Sequence, residues 1–349
     1  MRVCYCSTAE ERYVGNRSMR FGFWLPSFTW PQDNSWEPTH YLKEWSRKAD
    51  HAGLDIWVVD HLLVAQGLYG SSWLEPMELL SYAAALTENV KLATGILVLP
   101  VRNPVLLAKE IATLQVLSEN RFILGAGPGW YKQEFDVTGT RLEERGRRTD
   151  EILEALRVLL ENPVASYHGK YYNFDDVILQ PHVGRMPEVW VAGGSRAPDP
   201  TDDPDIHDTY GYIHPSVVRR ILRHKRWLSR CSGTQEWVIR DWGLIREEAA
   251  RAGQDPDELV FGHCNFTLFT PLKRREDALA AQRPYFLRAM GERRSFEHLQ
   301  ECYLLGTNRE IIERLEELAE AGCTYTVVGP VSSDPYQIDT LIQIQKHFS

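Results

Sequence analysis

No stretch of this chain approaches the ~20 consecutive apolar residues that a membrane-spanning helix requires, and a typical apolar run, Ile96 to Pro100, has the length of a strand. No Cys-x-x-Cys pair occurs among Cys4, Cys6, Cys231, Cys264, Cys302 and Cys323, and no signal peptide precedes them. Reduced thiols in a soluble, cytoplasmic protein are the expectation. Cys4-Tyr5-Cys6 lacks a nearby histidine, which makes a poor metal site, and no His-x-His exists to begin a metal-dependent barrel hydrolase. No metal is expected. Positive charge is also scarce: 39 Lys and Arg stand against 48 Asp and Glu, for a formal net charge of -9. The densest basic stretch, Arg219 to Arg230, is interrupted by Ile221, Leu222 and Trp227, so no nucleic-acid surface is expected.

What is present is an ordinary globular composition, with 43% hydrophobic and 25% charged residues over 349 positions. A closed α/β barrel of ~250 residues plus insertions would use nearly all of it. Met19 directly precedes the first strand-like run, so residues 1–18 read as an extension and 19–349 as one domain.

From Arg20 onward, short apolar runs alternate with helical spacing. Arg20–Leu25, Ile56–Asp60, Lys91–Leu99, Phe122–Gly125, Glu188–Ala192, Trp227–Arg230, Leu259–Phe269 and Thr324–Gly329 read as strands. Helices are expected over Thr39–Ala52, Met77–Leu86, Pro104–Leu117, Arg145–Leu160, Thr234–Ala252, Arg275–Met290, Arg309–Ala321 and Pro335–Phe348. Mostly continuous apolar strands imply a parallel sheet covered on both faces. Eight strand-helix units fit a (β/α)₈ TIM barrel better than an open doubly wound sheet. Tyr167–Phe174 interrupts the alternation as an inserted hairpin, and Ser195–Thr209, rich in Pro and Asp, reads as a long loop.

Barrel chemistry gathers at the C-terminal ends of the strands. Asp60-His61 follows the second strand, where the carboxylate could orient the imidazole as an acid or base; a structural histidine fits the position equally well. Gly125-Ala-Gly127-Pro128-Gly129-Trp130-Tyr131 lacks the G-x-G-x-x-G spacing of a dinucleotide site. With Gly193-Gly194-Ser195 it offers small residues on one face for an anion, although each taken alone also reads as a tight turn. Gly95, between Thr94 and Ile96, marks a bulge or a place where a flat ring lies against the backbone. Trp24, Phe28, Trp30, Trp36, Trp73, Trp130 and Tyr131 cluster on the same face and would wall an apolar pocket for a small substrate.

The stretch Phe21–Leu160 resembles the luciferase-like monooxygenase family. The residues that carry the likeness are Asp60-His61, the run Leu92 to Pro100, Asn103-Pro104, Ala108-Lys109, Leu117-Ser118, Arg121 and Gly127-x-Gly129-Trp130, continuing through Trp190 to Ser195 and Leu305-Gly306-Thr307 to Gly329. The resemblance implies reduced flavin (FMN) or the deazaflavin coenzyme F420 packed on a third-strand bulge with a cis peptide at Gly95–Ile96. It implies that His61 contacts ring or substrate, and that Thr94, Gly95, Ile96, Gly127, Trp130, Gln133, Gly193, Gly194 and Ser195 hold the cofactor. Trp130 stands where deazaflavin-dependent sugar-phosphate dehydrogenases of the family carry a Glu, and the Asp-Gly-Trp usual after strand six is absent near His224–Trp227.

The expected activity is therefore oxygen transfer from reduced flavin and O₂ to a small organic molecule, with a separate flavin reductase as partner. Hydride transfer from F420 and flavin binding without turnover are the alternatives. A homodimer is expected from the resemblance, and substrate choice is expected to lie in Ser195–Thr209 and Thr270–Glu292.

Overall fold

The computed structural model describes residues 18–29, 38–65, 72–195, 211–291 and 294–349. Eight parallel strands form its centre: β1 (Arg20–Trp24), β2 (Asp55–Val58), β3 (Leu92–Thr94, continued by Leu97–Val98), β4 (Phe122–Gly127), β5 (Glu188–Gly193), β6 (Arg226–Ser229), β7 (Val260–Thr267) and β8 (Cys323–Pro330). Pairing runs in sequence order, β8 returns to β1 with Arg20 opposite Tyr325, and β5 pairs with β4, so the sheet closes as the expected TIM barrel. The barrel helices are α1 (Pro38–Ala52), α2 (Pro76–Ala84), α3 (Pro104–Leu117), α4 (Arg145–Glu161), α5 (Pro215–His224), α6 (Gln235–Arg251), α7 (Asn308–Glu320) and α8 (Pro335–His347). α7 carries a reciprocal capping box between Thr307 and Glu310, while Asn103 caps α3 ahead of Pro104 at its first position.

Several elements differ from the sequence reading. α5 overlaps the stretch read only as basic; it buries Val217, Val218 and Ile221 together with Arg220, whose guanidinium pairs with Asp150. Short helices at Lys132–Val137 and Phe296–Cys302 were not anticipated, being too brief for periodicity to register. The hairpin is present as Ala165–His168 against Asn173–Val177, held by the Glu151 carboxylate, which accepts the N–H groups of Lys170, Tyr171 and Tyr172. Most of the long loop expected at Ser195–Thr209 lies outside the described residues, as do Met1–Arg17, Trp30 and Trp36.

Side chains alternate along most strands even though both faces are apolar. Phe21, Phe23, Ile56, Val58, Leu92 and Leu124 pack outward beneath the helices, while Trp24, Trp57, Ala93, Ile123, Trp190, Leu228, Cys264, Phe266 and Tyr325 fill the barrel. Strand glycines make room for these indoles. A Cβ on Gly22 would stand 2.5 Å from Trp57, and on Gly262 or Gly329 it would collide with Trp190 or Trp24. At the barrel base the Asp55 carboxylate receives Arg20 Nε at 2.6 Å, the Lys91 N–H at 2.8 Å and the Tyr325 hydroxyl at 2.6 Å. Each partner answers the desolvation of a buried charge.

Candidate active site

β3 breaks at the mouth. A cis peptide joins Gly95 to Ile96, and the strand resumes at Leu97 still paired with β4. Gly125 accommodates the break, since a Cβ there would collide with the Thr94 carbonyl, and the Thr94 hydroxyl donates to the Gly125 carbonyl at 2.8 Å. Thr94 is thus buried in the wall and supports the bulge through its neighbour strand rather than by presenting a hydroxyl to the mouth. Beneath the bulge, the indole N–H of Trp24 lies 2.5 Å from where a Gly95 Cβ would be. That buried N–H has no hydrogen-bond partner among the described residues.

Asp60 and His61 leave β2 in opposite directions. The Asp60 carboxylate receives the Val98 N–H at 2.8 Å and Arg102 Nη2 at 3.1 Å, and Arg102 continues to Glu75 at 3.0 Å. Burial pushes the Asp60 carboxyl above the usual range, against the pull of the Arg102 charge. This corrects the expectation that Asp60 orients His61: its oxygens are committed to the far side of the bulge.

The carboxylate facing His61 is Glu134, on the short helix that follows β4, with Oε1 3.2 Å from His61 Nδ1. The same oxygen accepts the N–H groups of Leu62 at 2.8 Å and Leu63 at 3.2 Å. That oxygen already accepts two N–H groups and, as a carboxylate oxygen, can only accept, so in this contact Nδ1 is the donor. Trp130 stands edge-on to the His61 ring at 5.7 Å and packs with Tyr131 and Ala65. Gly129, at φ +72°, turns the chain from β4 into this helix; a side chain there would meet Val98 and Phe135. A Cβ on Gly127 would meet the Ile96 side chain. Bulge, glycine strand end, imidazole and indole are therefore brought together.

Other expected residues are placed differently. Gln133 is exposed and receives the Tyr131 hydroxyl at 2.7 Å. Ser195 donates its N–H at 2.5 Å and its hydroxyl at 2.7 Å to the buried Asp241 carboxylate, so the anion cradle read into Gly193-Gly194-Ser195 has its serine donors directed inward. The cation beside it is Arg240, which stacks on Trp237 at 4.8 Å and donates to Ser195 Oγ and the Gly211 carbonyl, each at 3.0 Å. Gly193 and Gly194 hold φ of 150° and 155°, and a Gly193 Cβ would lie 2.7 Å from Val217. Trp73 is half-buried against the barrel interior, and Phe28 pairs with it through the backbone. Trp24 forms the floor, 4.4 Å from Phe266, rather than a wall of the mouth.

Sequence reasoning missed Glu134, Arg102, Trp57 and Arg240. Glu134 was findable as the one acid buried on the first turn after the glycine-rich strand end; the others became visible only through pairings across the fold. An open groove of about 650 Å³ between α1 and α8, lined by Arg47, Lys48, His51, Asp339 and Lys346, sits at the barrel base and takes no part in this arrangement.

Residues 19–198 match the family model described as luciferase-like monooxygenase, a span that contains the bulge, the imidazole, its glutamate and both glycine-rich strand ends. The chain belongs to the luciferase-like monooxygenase family. The motifs noted at Leu305–Gly329 fall beyond that match. Among curated relatives, the FMNH2-dependent dimethylsulfone monooxygenase of Pseudomonas putida is 27% identical over 194 residues, 52% of this chain and 53% of that one. The F420-dependent glucose-6-phosphate dehydrogenase of Amycolatopsis mediterranei is 30% identical over 159 residues, covering 44% and 47%. The chain spans about half the length of the curated relatives it matches. Among solved structures, a monooxygenase from Streptomyces bottropensis superposes with a TM-score of 0.74 at 22% identity, covering 94% of this chain and 98% of that one. An F420-dependent secondary alcohol dehydrogenase gives 0.75 at 19%, covering 95% and 99%. At such identities the likeness is one of fold.

The site fits a flavin-type ring. A broken strand with no Cβ at Gly95, a buried indole N–H awaiting an acceptor and a mouth walled by Trp130 suit a flat heteroaromatic with edge acceptors. Gly193 and Gly194 beside Arg240 suit an anionic tail.

Proposed function

We propose that this protein is a flavin-dependent monooxygenase that uses reduced FMN and O₂ to oxidise a small organic substrate. The observation that carries the reading is the paired His61–Glu134 set against Trp130 beside the Gly95–Ile96 bulge. Bound reduced flavin supplies the electrons and activates O₂. The chain supplies the rest. Thr94, Gly95 and Ile96 seat the ring; Gly127, Gly193, Gly194 and Ser195 line its far side with Gln133 at the rim; Trp24, Phe28 and Trp73 border the substrate. Trp130 and Tyr131 exclude water. Glu134 holds His61 with Nδ1 protonated, so that Nε2 takes up or returns one proton at the reacting centre.

F420-dependent hydride transfer is the second reading, favoured by the likeness to the F420-dependent dehydrogenases; Trp130, which cannot donate an acidic proton, counts against the sugar-phosphate version. A flavin-binding protein without turnover is the third. Reduced FMN generated in place under O₂, with a panel of small sulfur compounds and ketones and mass detection of oxygenated product, separates them. Product that H61A abolishes while FMN still binds supports the monooxygenase, and binding without product in any variant supports the third reading.

The same proposal includes a separate flavin reductase as source of FMNH2, a cytoplasmic location suited to the unbridged buried thiols of Cys264, Cys302 and Cys323, and one domain over 19–349 following an extension at 1–18. It also includes a homodimer through α2 and α3, where Tyr82, Leu106, Val116 and Leu117 are exposed.

A further inference from the structure

Filling a barrel requires only volume, and branched aliphatic side chains supply it in most. Here the interior holds a contacting series of oxidisable rings. Trp24 Nε1 and Trp57 Cε3 lie 2.5 and 3.0 Å from the position of a Gly95 Cβ, so both indoles border the bulge at the mouth. Trp57 Nε1 donates to the Tyr325 oxygen at 2.9 Å, with ring centroids 5.7 Å apart. Trp190 joins the series at 6.1 Å from Trp57 and 5.1 Å from Tyr325. Tyr325 donates its hydroxyl proton to Asp55 Oδ2 at 2.6 Å, and Asp55 pairs with Arg20, whose side chain is 53% exposed at the base. The series thus runs from mouth to base and ends at a phenol with a carboxylate in line to receive its proton.

We propose that Trp24, Trp57, Trp190 and Tyr325 form a one-electron relay that carries oxidising equivalents from the mouth to the barrel base, away from His61. The proposal rests on the reading that a flavin-type ring works at the mouth. The oxidant is a one-electron acceptor formed there: an oxygen radical from uncoupled O₂ reduction or the photoexcited oxidised ring. It gains one electron from Trp24 or Trp57 and is reduced by one equivalent. The indole radical cation is refilled by Tyr325, which loses one electron to it and one proton to the Asp55 carboxylate, leaving a neutral phenoxyl and a carboxylic acid. A soluble thiolate at the base then gives one electron to the phenoxyl and becomes a thiyl radical, Asp55 returns its proton to the phenol oxygen, and two thiyl radicals couple as a disulfide. Burial, reinforced by the Asp55 charge, holds the Tyr325 phenol well above its ordinary range, so the resting relay keeps its proton.

The test has two arms. In the first, oxidised FMN is added, its binding is verified by quenching of tryptophan fluorescence, and a blue flash is followed by freeze-trapping and EPR. A tyrosyl signal in wild type that Y325F abolishes and D55N diminishes is expected; an equal signal in wild type and Y325F overturns the relay. In the second, the ring-free protein receives an ultraviolet flash that ionises indoles directly. If FMN fails to bind, the functional reading fails, yet this arm still decides the relay by the same comparison. Should Y325F not fold by circular dichroism, W57F/W190F, which removes both indoles beside Tyr325, carries both arms: loss of the tyrosyl signal supports the relay and its persistence overturns it.

Discussion

His61 and Glu134 stand 73 positions apart in sequence and 3.2 Å apart at the barrel mouth. Because Glu134 also fixes the N–H groups of Leu62 and Leu63, the orientation of the imidazole and the path of its loop share one carboxylate. E134Q keeps an acceptor for those N–H groups but loses the carboxylate charge that faces Nδ1. Its kcat should fall by about 10- to 100-fold, part of the ~10²–10⁴ that a positioned acid or base contributes, with KM nearly unchanged. E134L should also lose stability, by about 2–4 kcal/mol, as buried donors lose their acceptor. Steady-state kinetics and urea unfolding separate the two effects.

The barrel was legible in the sequence because its strands are apolar runs set at regular intervals by Pro-opened helices such as α2, α3 and α8. The bulge and the glycine strand ends were legible too, since glycine inside a strand has few uses. Asp60 was expected to orient His61 from its place in the sequence, whereas its oxygens accept from Val98 N–H and Arg102, partners that lie 38 and 42 positions away. Glu134 and Arg240 act through partners tens of residues away, a relation that no local pattern encodes.

Asp60 and Arg102 should behave as a buried pair. R102M leaves the Asp60 charge with the Val98 N–H as its remaining partner of the two, and should destabilise by about 3–5 kcal/mol. D60N/R102M should recover part of this loss, because the uncompensated charge is gone. A double-mutant cycle in urea reads the coupling.

Two glycines should respond oppositely to alanine. At Gly125 the new methyl would collide with the Thr94 carbonyl, which is backbone and cannot yield cheaply, so G125A should lose about 3 kcal/mol or more and weaken ring binding. At Gly243, inside α6 with nothing within 4 Å, G243A should gain up to about 1 kcal/mol. Thermal melts of both variants check the contrast.

His263 is buried beside Ser229 and Asn265, and burial pushes it down to about 3. The folded state therefore binds its proton less readily than the unfolded chain does. Its stabilising contribution is complete above the unfolded value near 6.5 and is lost as pH falls toward 3, amounting to about 5 kcal/mol at ~1.4 kcal/mol per unit. His224, pushed down to about 4, acts in the same direction. Urea midpoints from pH 7 to 4 should fall steeply in wild type and less steeply in H263N.

Whether the bulge seats a flavin-type ring is read by titrating the purified protein with oxidised FMN, reduced FMN and reduced F420 and following intrinsic tryptophan fluorescence. Trp24 and Trp57 lie against Gly95 and Trp130 stands at the mouth, so a ring seated on the bulge must alter their emission. Preferential, saturable quenching by reduced FMN is the predicted result. Preference for reduced F420 would transfer the account to hydride chemistry, and failure of all three to bind would contradict it.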